Sequence, residues 1–537
     1  MSGVEPVSER RNWLFVGAAA VVLGAVVGGL PLMSGAPGGD DAYYHAMRGQ
    51  QEARCWRLGV PYPRWYPDLN GGLGGPEPRA YPLIPLALLG LLAAATGDGI
   101  SAISVGTVLI PVVAALAMMF SLRRRGVGPA FALSVSAGWA AAPYLVVALH
   151  ERAALAEALA LAFLPMALEA MLPPEPLDRR SAVRGAIFLA VLLATQLPVA
   201  LMTGAVAALC HLASGRRGHA GSLLLAGVVG LGLSSASWLP NVGSVWRLQG
   251  EHLVGTGYRW QDNLLPGGNG ADAILAGHLT LALAATGVLL VLVLATGSRR
   301  ARTLAGVGLA AVALSTPLLG WVYRWLPGLA FLQFPWSWLG PAGCLGLMAV
   351  GEVDRRAVRA IGLVAFLLPL AVPVAFRWRL AEGPPMRPRD PGSTVARAAT
   401  RFGVPPLLPS LPAYLPRGVD LSEALASAAR AHALVTAVES SSPDRFEFRC
   451  ESPAGGAVSL SLLADDSWSV EVDNRRVGWS NLDGLVSVPV APGLHRIVAR
   501  QSLLPEDVAG LALSLTTVVG ILLLSWPSRR RPPLPGS

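Results

Sequence analysis

Two adjacent acidic residues, Asp40 and Asp41, follow the first long apolar run of the chain. A carboxylate at that depth, near lipid head groups, can accept a proton from an attacking hydroxyl group. It can also hold a divalent cation, Mg²⁺ or Mn²⁺, that neutralises a phosphate leaving group. His45 comes four residues after Asp41, so on a helix the two side chains share a face and could share a metal or a substrate. Alternatively, the two acids only cap the next helix, since Asp is a favoured N-cap residue.

Further charged side chains could bind a phosphate-bearing substrate. Arg64, and Arg79 together with Tyr81, could contact phosphate oxygens through their guanidinium groups. Each Arg alone is explained equally well by a side chain that reaches a lipid head group. Glu157 lies inside an apolar run, where an ionisable group is costly and indicates a function or a partner. A pair between Glu157 and Arg152 that only orients the helix is the alternative.

Several classes of site find no support in the sequence. No glycine loop followed by Lys is present, so we do not expect nucleotide hydrolysis to drive this protein. No Cys-x-x-Cys pair occurs, which argues against a zinc or thioredoxin-type site. Cys55 and Cys450 both fall in segments that we place outside the cytoplasm. They could pair, but nothing in the spacing requires a disulfide bond.

The composition is typical of an integral membrane protein. Of 537 residues, 53% are hydrophobic and only 14% are charged, whereas soluble proteins have about a quarter charged residues. The net charge of +9 does not indicate nucleic-acid binding. The Arg residues stand in twos and threes between apolar runs, where the positive-inside rule places them.

Taking the basic clusters as cytoplasmic predicts a polytopic helical bundle of about twelve spans in an inner or plasma membrane, with both termini in the cytoplasm. The predicted spans are 13–33, 100–122, 128–148, 153–172, two within 185–213, 221–239, 274–297, 303–320, 337–351, 360–376 and 508–526. Residues 1–376 would form the membrane domain, with a large first outer loop over 34–99.

One apolar stretch in that loop, Leu83 to Thr96, is short for a full crossing. We expect it to form a helix at the outer interface. If it crossed fully, the cluster Arg123–Arg124–Arg125 would face outside, against the charge rule.

The polar segment 377–507 predicts a second unit outside the membrane. Apolar and polar residues alternate in five short stretches within 443–500, as expected for a small, β-sandwich-like antiparallel domain. The predicted strands are 445–448, 458–463, 468–472, 485–490 and 494–499. Residues 420–438 before them predict a helix, and 508–537 predict the last span with a basic cytoplasmic tail. The fold class is therefore mainly α, with a small β domain before the last span.

Six stretches, in a consistent order along the chain, resemble the GT-C class of membrane glycosyltransferases. Within that class the chain is most similar to a bacterial and archaeal family of membrane proteins labelled "6-pyruvoyl-tetrahydropterin synthase related". That label implies no pterin activity here, because no matching His cluster is present. The resembling stretches are Asp40–Asp41–Ala42–Tyr43–Tyr44–His45, Pro63–Arg64–Trp65–Tyr66–Pro67–Asp68, Arg152–Ala153–Ala154–Leu155–Ala156–Glu157, Trp238–Leu239–Pro240, Gln333–Phe334–Pro335–Trp336 and Tyr414–Leu415–Pro416.

The resemblance implies a hexosyl- or pentosyltransferase that takes a sugar from a polyprenyl-phosphate donor in the bilayer. The acceptor would be an extracytoplasmic glycan, lipid or protein of the cell envelope. An outer-loop Asp, often with a divalent metal, activates the acceptor in that class. By position Asp40 or Asp41 matches this role, and we favour Asp41 because His45 falls one turn after it. Such families often have an Arg after the Phe-Pro-Trp stretch, where this chain has Ser337; Arg324 could replace that phosphate contact.

Two other functions remain open at this stage. The protein could transport or flip a lipid-linked glycan, or it could be an envelope-assembly protein that kept the fold without the activity. Transporters often have paired repeats and broken helices with ionisable groups near the midplane. No clear internal repeat is present here, and the ionisable residues cluster in outer loops, which favours the enzyme.

Overall fold

The computed structural model describes most of the 537-residue chain. The described residues are 7–34, 41–173, 179–215, 220–254, 258–267, 273–353, 356–367, 412–431 and 435–525. The predicted site residue Asp40 lies outside these ranges. So do residues 368–411, which include the end of the predicted span 360–376, and the basic tail.

Helices make up most of the described chain. Their bounds are α1 Val7–Gly29, α2 Ala42–Arg57, α3 Leu69–Gly72, α4 Glu77–Ala80, α5 Leu83–Thr96, α6 Gly99–Arg124, α7 Pro129–Ala140, α8 Pro143–Val146, α9 Leu155–Met171, α10 Arg179–Thr195, α11 Leu197–Ala213, α12 Ala220–Leu233, α13 Ser235–Ser244, α14 Ala273–Thr296, α15 Arg299–Leu314, α16 Gly320–Trp325, α17 Leu339–Val350, α18 Arg356–Leu367, α19 Leu421–Ala431 and α20 Pro505–Ser525. The predicted short helix over Leu83–Thr96 is present as α5. The division of 185–213 into two apolar helices is present as the break between α10 and α11.

Four helices in the described ranges are long and apolar enough to cross a membrane: Glu9–Leu32, Gly99–Arg124, Ala273–Thr296 and Pro505–Leu523. Three bent helix pairs raise the number to seven if each pair is one span. The chain is therefore a membrane protein, but the prediction of about twelve spans is not confirmed. Helix length is the reason: α9 and α11 have 17 residues each and α17 has 12, short for a full crossing. Which membrane holds the chain, and where its termini face, stay predictions.

The helical body is built around α9 and α17, whose residues are nearly all buried. Helix α1 packs along α6 through Gly24 and Gly28. A Cβ atom on Gly28 would lie 2.5 Å from the carbonyl oxygen of Thr107, so glycine is needed for this close approach. On the outside, α1 and α20 expose large apolar side chains such as Leu14 and Leu515, as expected of helices that face lipid.

Eight strands form a β domain, which we define as residues 435–501. The strands are β1 Val435–Ser442, β2 Arg445–Ser452, β3 Gly456–Leu463, β4 Trp468–Val472, β5 Arg475–Val477, β6 Ser480–Leu482, β7 Leu485–Val490 and β8 Gly493–Gln501. They pair antiparallel in two sheets, of order β1-β2-β8-β4-β5 and β3-β7-β6. Alternate residues of both sheets, including Phe448, Val470 and Leu485, are buried in a common core.

All five strands predicted from alternation are present, whereas the helix predicted over 420–438 was wrong in its second half. Helix α19 ends at Ala431, and β1 begins at Val435 and pairs with β2. The residues of β1 form a strand because their backbone pairs with the edge of the sheet at β2. Strand formation depends on such tertiary pairing more than on the local sequence pattern that predicted a helix. Strands β5 and β6 have three residues each, too few for alternation to be recognised.

The segment between α2 and α5 contributes to the β-domain core. Trp65 and Leu73 belong to this core, and the Trp65 ring meets the Trp468 ring edge-on with centroids 4.9 Å apart. The backbone N–H of Leu463 donates to the carbonyl oxygen of Leu73 at 3.1 Å. The β domain is therefore packed onto the helical body and shares hydrophobic side chains with it.

The four cysteines are buried and free. Cys55 packs with Tyr66 and Leu69, whereas Cys450 lies in the β-domain core. The disulfide bond that the sequence left open does not form.

Candidate functional site

Asp41 lies at the start of α2 and is hydrogen-bonded through its backbone to the segment around Arg152. Its backbone N–H donates to the carbonyl oxygen of Arg152 at 3.1 Å, and its own carbonyl accepts from the N–H of His45 at 3.0 Å. Asp41 thus occupies the N-cap position of α2, but its side chain makes no capping hydrogen bond. The capping interpretation therefore explains where Asp41 lies but gives no role to its half-buried carboxylate.

Arg48, two turns after Asp41 on α2, is a buried cation surrounded by aromatic rings. Its Nη2 lies 2.6 Å from Glu77 Oε1, and both groups are almost fully buried. The guanidinium carbon lies 4.0 Å from the centroid of the Tyr81 ring and 5.5 Å from that of Tyr414, a cation–π arrangement. Arg48 and Glu77 are 29 residues apart, so no sequence pattern linked them.

His45 and the neighbouring tyrosines are neutral at physiological pH. Burial, reinforced by the charge of Arg48, holds the pKa of His45 well below its usual range. Burial also raises the pKa of Tyr414 to about 12. The His45 ring meets the Tyr81 ring edge-on at 5.8 Å, and its buried Nδ1 has no hydrogen-bond partner among the described residues. A neutral imidazole with an unused nitrogen can accept a proton or bind a metal.

The predicted pair of Arg152 and Glu157 is present and buried. Arg152 Nη1 lies 2.7 Å from Glu157 Oε2, and the Tyr144 hydroxyl donates to Glu157 Oε1 at 2.5 Å. The same hydroxyl lies 3.0 Å from the hydroxyl of Ser337, the residue that departs from the family pattern. The Arg152 guanidinium lies over the Phe334 ring at 4.7 Å. These contacts bring the segment around Arg152 and the Phe-Pro-Trp stretch together.

The backbone around Arg152 is irregular on both sides. A π-helical turn, Val147–Glu151, precedes it, and Ala153 after it has a φ of 51°. A left-handed conformation costs a non-glycine residue about 1 kcal/mol or more, and such strain clusters at functional sites. This geometry presents the Arg152 carbonyl to Asp41.

We call this group of residues the Asp41 cluster. The charge of Asp41 acts on Tyr44, Tyr81, Tyr414 and Arg152. Of the residues proposed from sequence, the cluster contains five; Arg48, Glu77, Tyr44 and Tyr414 were not proposed. Its members are Asp41, Tyr44, His45, Arg48, Glu77, Tyr81, Arg152, Glu157 and Tyr414.

Arg64 and Arg79 lie elsewhere, in an ion network that joins the β domain to α20. Arg64 pairs with Asp507. Arg79 Nη1 lies 2.9 Å from Asp465 Oδ1, and its Nε lies 3.7 Å from Asp507 Oδ2. All four side chains are buried. The substrate-binding role predicted for these two Arg residues stays a prediction, since their observed contacts are with carboxylates.

Arg324, proposed as a substitute phosphate contact, is exposed on α16. It lies beside Trp325, which is also exposed. The sequence placed Arg324 near the Phe-Pro-Trp stretch, but Arg152 is the cation that contacts Phe334 and Trp336.

Glu52, a buried acid of α2, contacts Tyr66. The Tyr66 hydroxyl donates to Glu52 Oε2 at 2.7 Å. Burial raises the pKa of Glu52 to about 7, and the hydrogen bond from Tyr66 only partly opposes this effect. The folded protein therefore binds the Glu52 proton more tightly than the unfolded chain does.

We expect the protein to lose stability as the pH rises from about 4.5 through about 7, and Glu52→Gln to abolish that loss. Ionisation favours the unfolded state, so the contribution of Glu52 is full below its unfolded pKa and is lost above its folded pKa. The shift corresponds to about 3 kcal/mol. Melting temperatures in detergent from about pH 5 to pH 8 measure the effect. Glu451→Gln, at an exposed acid of β2, is the control, and a slope that Glu52→Gln leaves unchanged would contradict the assignment.

The metal prediction is untested by the geometry. No group of three or more His, Cys, Asp or Glu side chains that could hold a metal occurs within the described part of the chain. Asp41 and His45 do lie one turn apart on α2, and the orphaned His45 nitrogen suits a metal ligand. They would supply two ligands of a site.

Two clefts occur in the described part of the chain, and Asp41 lines neither. One, of about 700 Å³, lies between the β domain, α13 and α20. The other, of about 270 Å³, lies between the end of α11 and the start of α15.

The sequence and the structure were compared with known proteins. No protein-family model matches this sequence, so the similarity to the pterin-labelled family is not supported. No curated protein matches it either. A solved structure, the cryo-EM structure of arabinofuranosyltransferase AftD from Mycobacteria, aligns with a TM-score of 0.41 at 15% identity. The alignment covers 73% of this chain and 29% of that one, so the chain spans less than a third of the neighbour's length.

Proposed function

We propose that this protein is a membrane glycosyltransferase of the GT-C type, which transfers a hexosyl or pentosyl group from a polyprenyl-phosphate donor to an extracytoplasmic acceptor. The observation that carries the proposal is the position of Asp41. Its half-buried carboxylate follows the first candidate membrane helix and is held to Arg152 through the backbone. A donor whose lipid stays in the bilayer would present its phosphate at this depth.

The net charge of the Asp41 cluster determines whether a phosphate can bind there without a cation. Arg48 is paired with Glu77, and Arg152 with Glu157. Asp41 then leaves the cluster with a net negative charge, which disfavours a phosphate. A divalent cation held by Asp41 and His45 would reverse that sign and neutralise charge on the leaving phosphate. We therefore propose Mg²⁺ or Mn²⁺ as a cofactor.

In the proposed reaction, Asp41 acts as a general base. Its carboxylate takes the proton of an acceptor hydroxyl as that oxygen forms a bond to the anomeric carbon of the donor sugar. The bond from this carbon to the phosphate oxygen breaks, and the polyprenyl phosphate leaves with the electron pair. The half-buried tyrosines of the cluster would orient the sugar by hydrogen bonds and exclude water.

Asp41→Asn is expected to reduce transfer by about 10²- to 10⁴-fold, the usual contribution of a general base. Purified protein would be assayed with polyprenyl-phosphate hexose and pentose donors, and cells lacking the protein would be tested for restored envelope glycans. Asp98→Asn is the matched control, because Asp98 is also an N-cap residue and Asn caps as well as Asp.

Three outcomes would overturn the proposal. Asp41→Asn that behaves like Asp98→Asn would assign Asp41 to capping alone. Donor lipid that accumulates on the inner leaflet after deletion would indicate transport of a lipid-linked glycan. If deletion causes envelope defects and the Asp41→Asn variant corrects them fully, the protein would be a non-catalytic assembly protein.

A further inference from the structure

The cleft of about 700 Å³ lies between the β domain and the helical body, well within the size range of small-ligand sites. Three separate parts of the chain line it: the end of α13, the stretch around Pro416 and the β domain with the start of α20. The side chains that matter for recognition are Trp246, Arg247, Arg417, Asp466, Trp479 and Asn481.

The walls of the cleft are fixed by hydrogen bonds between these parts. The N–H of Arg417 donates to the carbonyl oxygen of Arg247 at 2.8 Å, and Leu248 forms a β-bridge with Pro416. Arg247 Nε lies 2.8 Å from Glu506 Oε1 at the start of α20. A preformed cleft binds a ligand without the cost of ordering its own walls.

Two indole side chains line this cleft. Trp246 is 74% exposed, an unusual exposure for a side chain of this size. Trp479 is half-buried and fixed by a hydrogen bond from its Nε1 to the Trp468 carbonyl oxygen at 2.9 Å. Flat aromatic faces pack well against the C–H faces of sugar rings.

The charges of the cleft are nearly balanced. Arg247 lies 2.9 Å from Asp466 and 2.8 Å from Glu506, so its charge is neutralised by carboxylates. Arg417 is exposed, and Asn481 contributes an amide. Such a surface offers both donors and acceptors without the net positive charge that an anionic head group requires. A neutral ligand rich in hydroxyl groups fits this chemistry best.

We infer that this cleft binds a neutral oligosaccharide, with the indoles of Trp246 and Trp479 against sugar rings and the Arg, Asp and Asn side chains on hydroxyl groups. That this oligosaccharide is the glycosyl acceptor rests on the proposed function, whereas its binding to the cleft does not depend on that function. Asp465, which lines the cleft, pairs with Arg79 and so connects the cleft to the segment that precedes α5.

Binding can be measured on the full chain in lipid nanodiscs with neutral oligosaccharides of four to six sugars, released from envelope polysaccharide. Trp246→Ala is expected to weaken binding at least tenfold and Asp466→Asn severalfold. Trp325→Ala is the matched control, since Trp325 is 75% exposed but lies outside the cleft. Melting temperatures would establish that the variants fold.

Asp41→Asn separates the two proposals: it is expected to reduce transfer by about 10²- to 10⁴-fold and to leave oligosaccharide binding at the cleft unchanged. If the wild type binds no oligosaccharide, or if Trp246→Ala and Trp325→Ala weaken binding equally, the inference is overturned. A cleft for lipid head groups would be indicated instead if Trp246→Ala reduced only the binding of anionic phosphatidylglycerol vesicles. None of these binding results tests the catalytic role of Asp41, which the transfer assay of Asp41→Asn tests separately.

Discussion

Replacing Asp507 with asparagine is expected to lower the free energy of unfolding by about 3–5 kcal/mol, the cost of breaking a buried ion pair by removing one partner. The Asp507 side chain is fully buried. It pairs with Arg64, lies 3.7 Å from Arg79 and accepts the N–H of Leu504 at 2.9 Å. Asparagine keeps the shape but not the charge, so two buried guanidinium groups lose a counterion together. The melting temperature in detergent measures the loss.

Asp466→Asn is the control for this prediction. Asp466 is 70% exposed and lies 2.9 Å from Arg247, so water can replace the lost pairing and the cost is expected to stay below about 1 kcal/mol. Equal melting temperatures for the two variants would mean that the network around Asp507 is not a stabilising junction. A selective loss in Asp507→Asn would establish that α20 and the β domain are held to the helical body through buried charges.

This junction also shows why part of the fold escaped prediction. Alternation and apolar length are local properties, and they located α5, the break between α10 and α11, and five strands. Arg64 and Asp507 lie 443 residues apart, and the Trp65 ring reaches the core of a domain that begins 370 residues later. Contacts at such separations depend on the tertiary fold, which no local pattern encodes.

The predicted number of about twelve membrane spans is not confirmed, for a related reason. A continuous apolar run satisfies a composition rule whether it forms one long helix or two short helices with a bend. The predicted span 128–148 is one example, since α7 ends at Ala140 and α8 begins at Pro143. Proline at the start of α8 suits the first turn of a new helix and breaks the earlier one.

The sequence identified several residues of the candidate site, but it did not predict which of them contact one another. Asp41 was identified by its position after the first apolar run and His45 by its spacing from Asp41. Glu157 was identified because an ionisable group inside an apolar run is costly. Arg48 shares a helix face with His45, so its spacing of three residues was an available signal. Nothing local could reveal Glu77 or Tyr414 as its partners.

Glu157→Gln is expected to reduce both stability and transfer, because Glu157 positions the Arg152 segment on which Asp41 rests. The change removes the carboxylate that is paired with the buried Arg152 guanidinium, at a cost of about 3–5 kcal/mol, while the amide oxygen can still accept from Tyr144. Movement of Arg152 would weaken the 3.1 Å hydrogen bond from Asp41. We therefore expect a lower melting temperature and a lower kcat with little change in KM. A raised KM at an unchanged melting temperature would instead assign Glu157 to direct substrate binding.

Glu169→Gln provides the matched control on the same helix. Glu169 pairs at 3.1 Å with Arg124, whose side chain is 53% exposed, so Arg124 can turn to water and the expected loss is below about 1 kcal/mol. A double variant, Glu157→Gln with Arg152→Met, separates charge from packing. Because it removes the stranded cation, it is expected to regain much of the stability lost in Glu157→Gln alone. Recovery of stability without recovery of transfer would then locate the catalytic contribution in the guanidinium of Arg152.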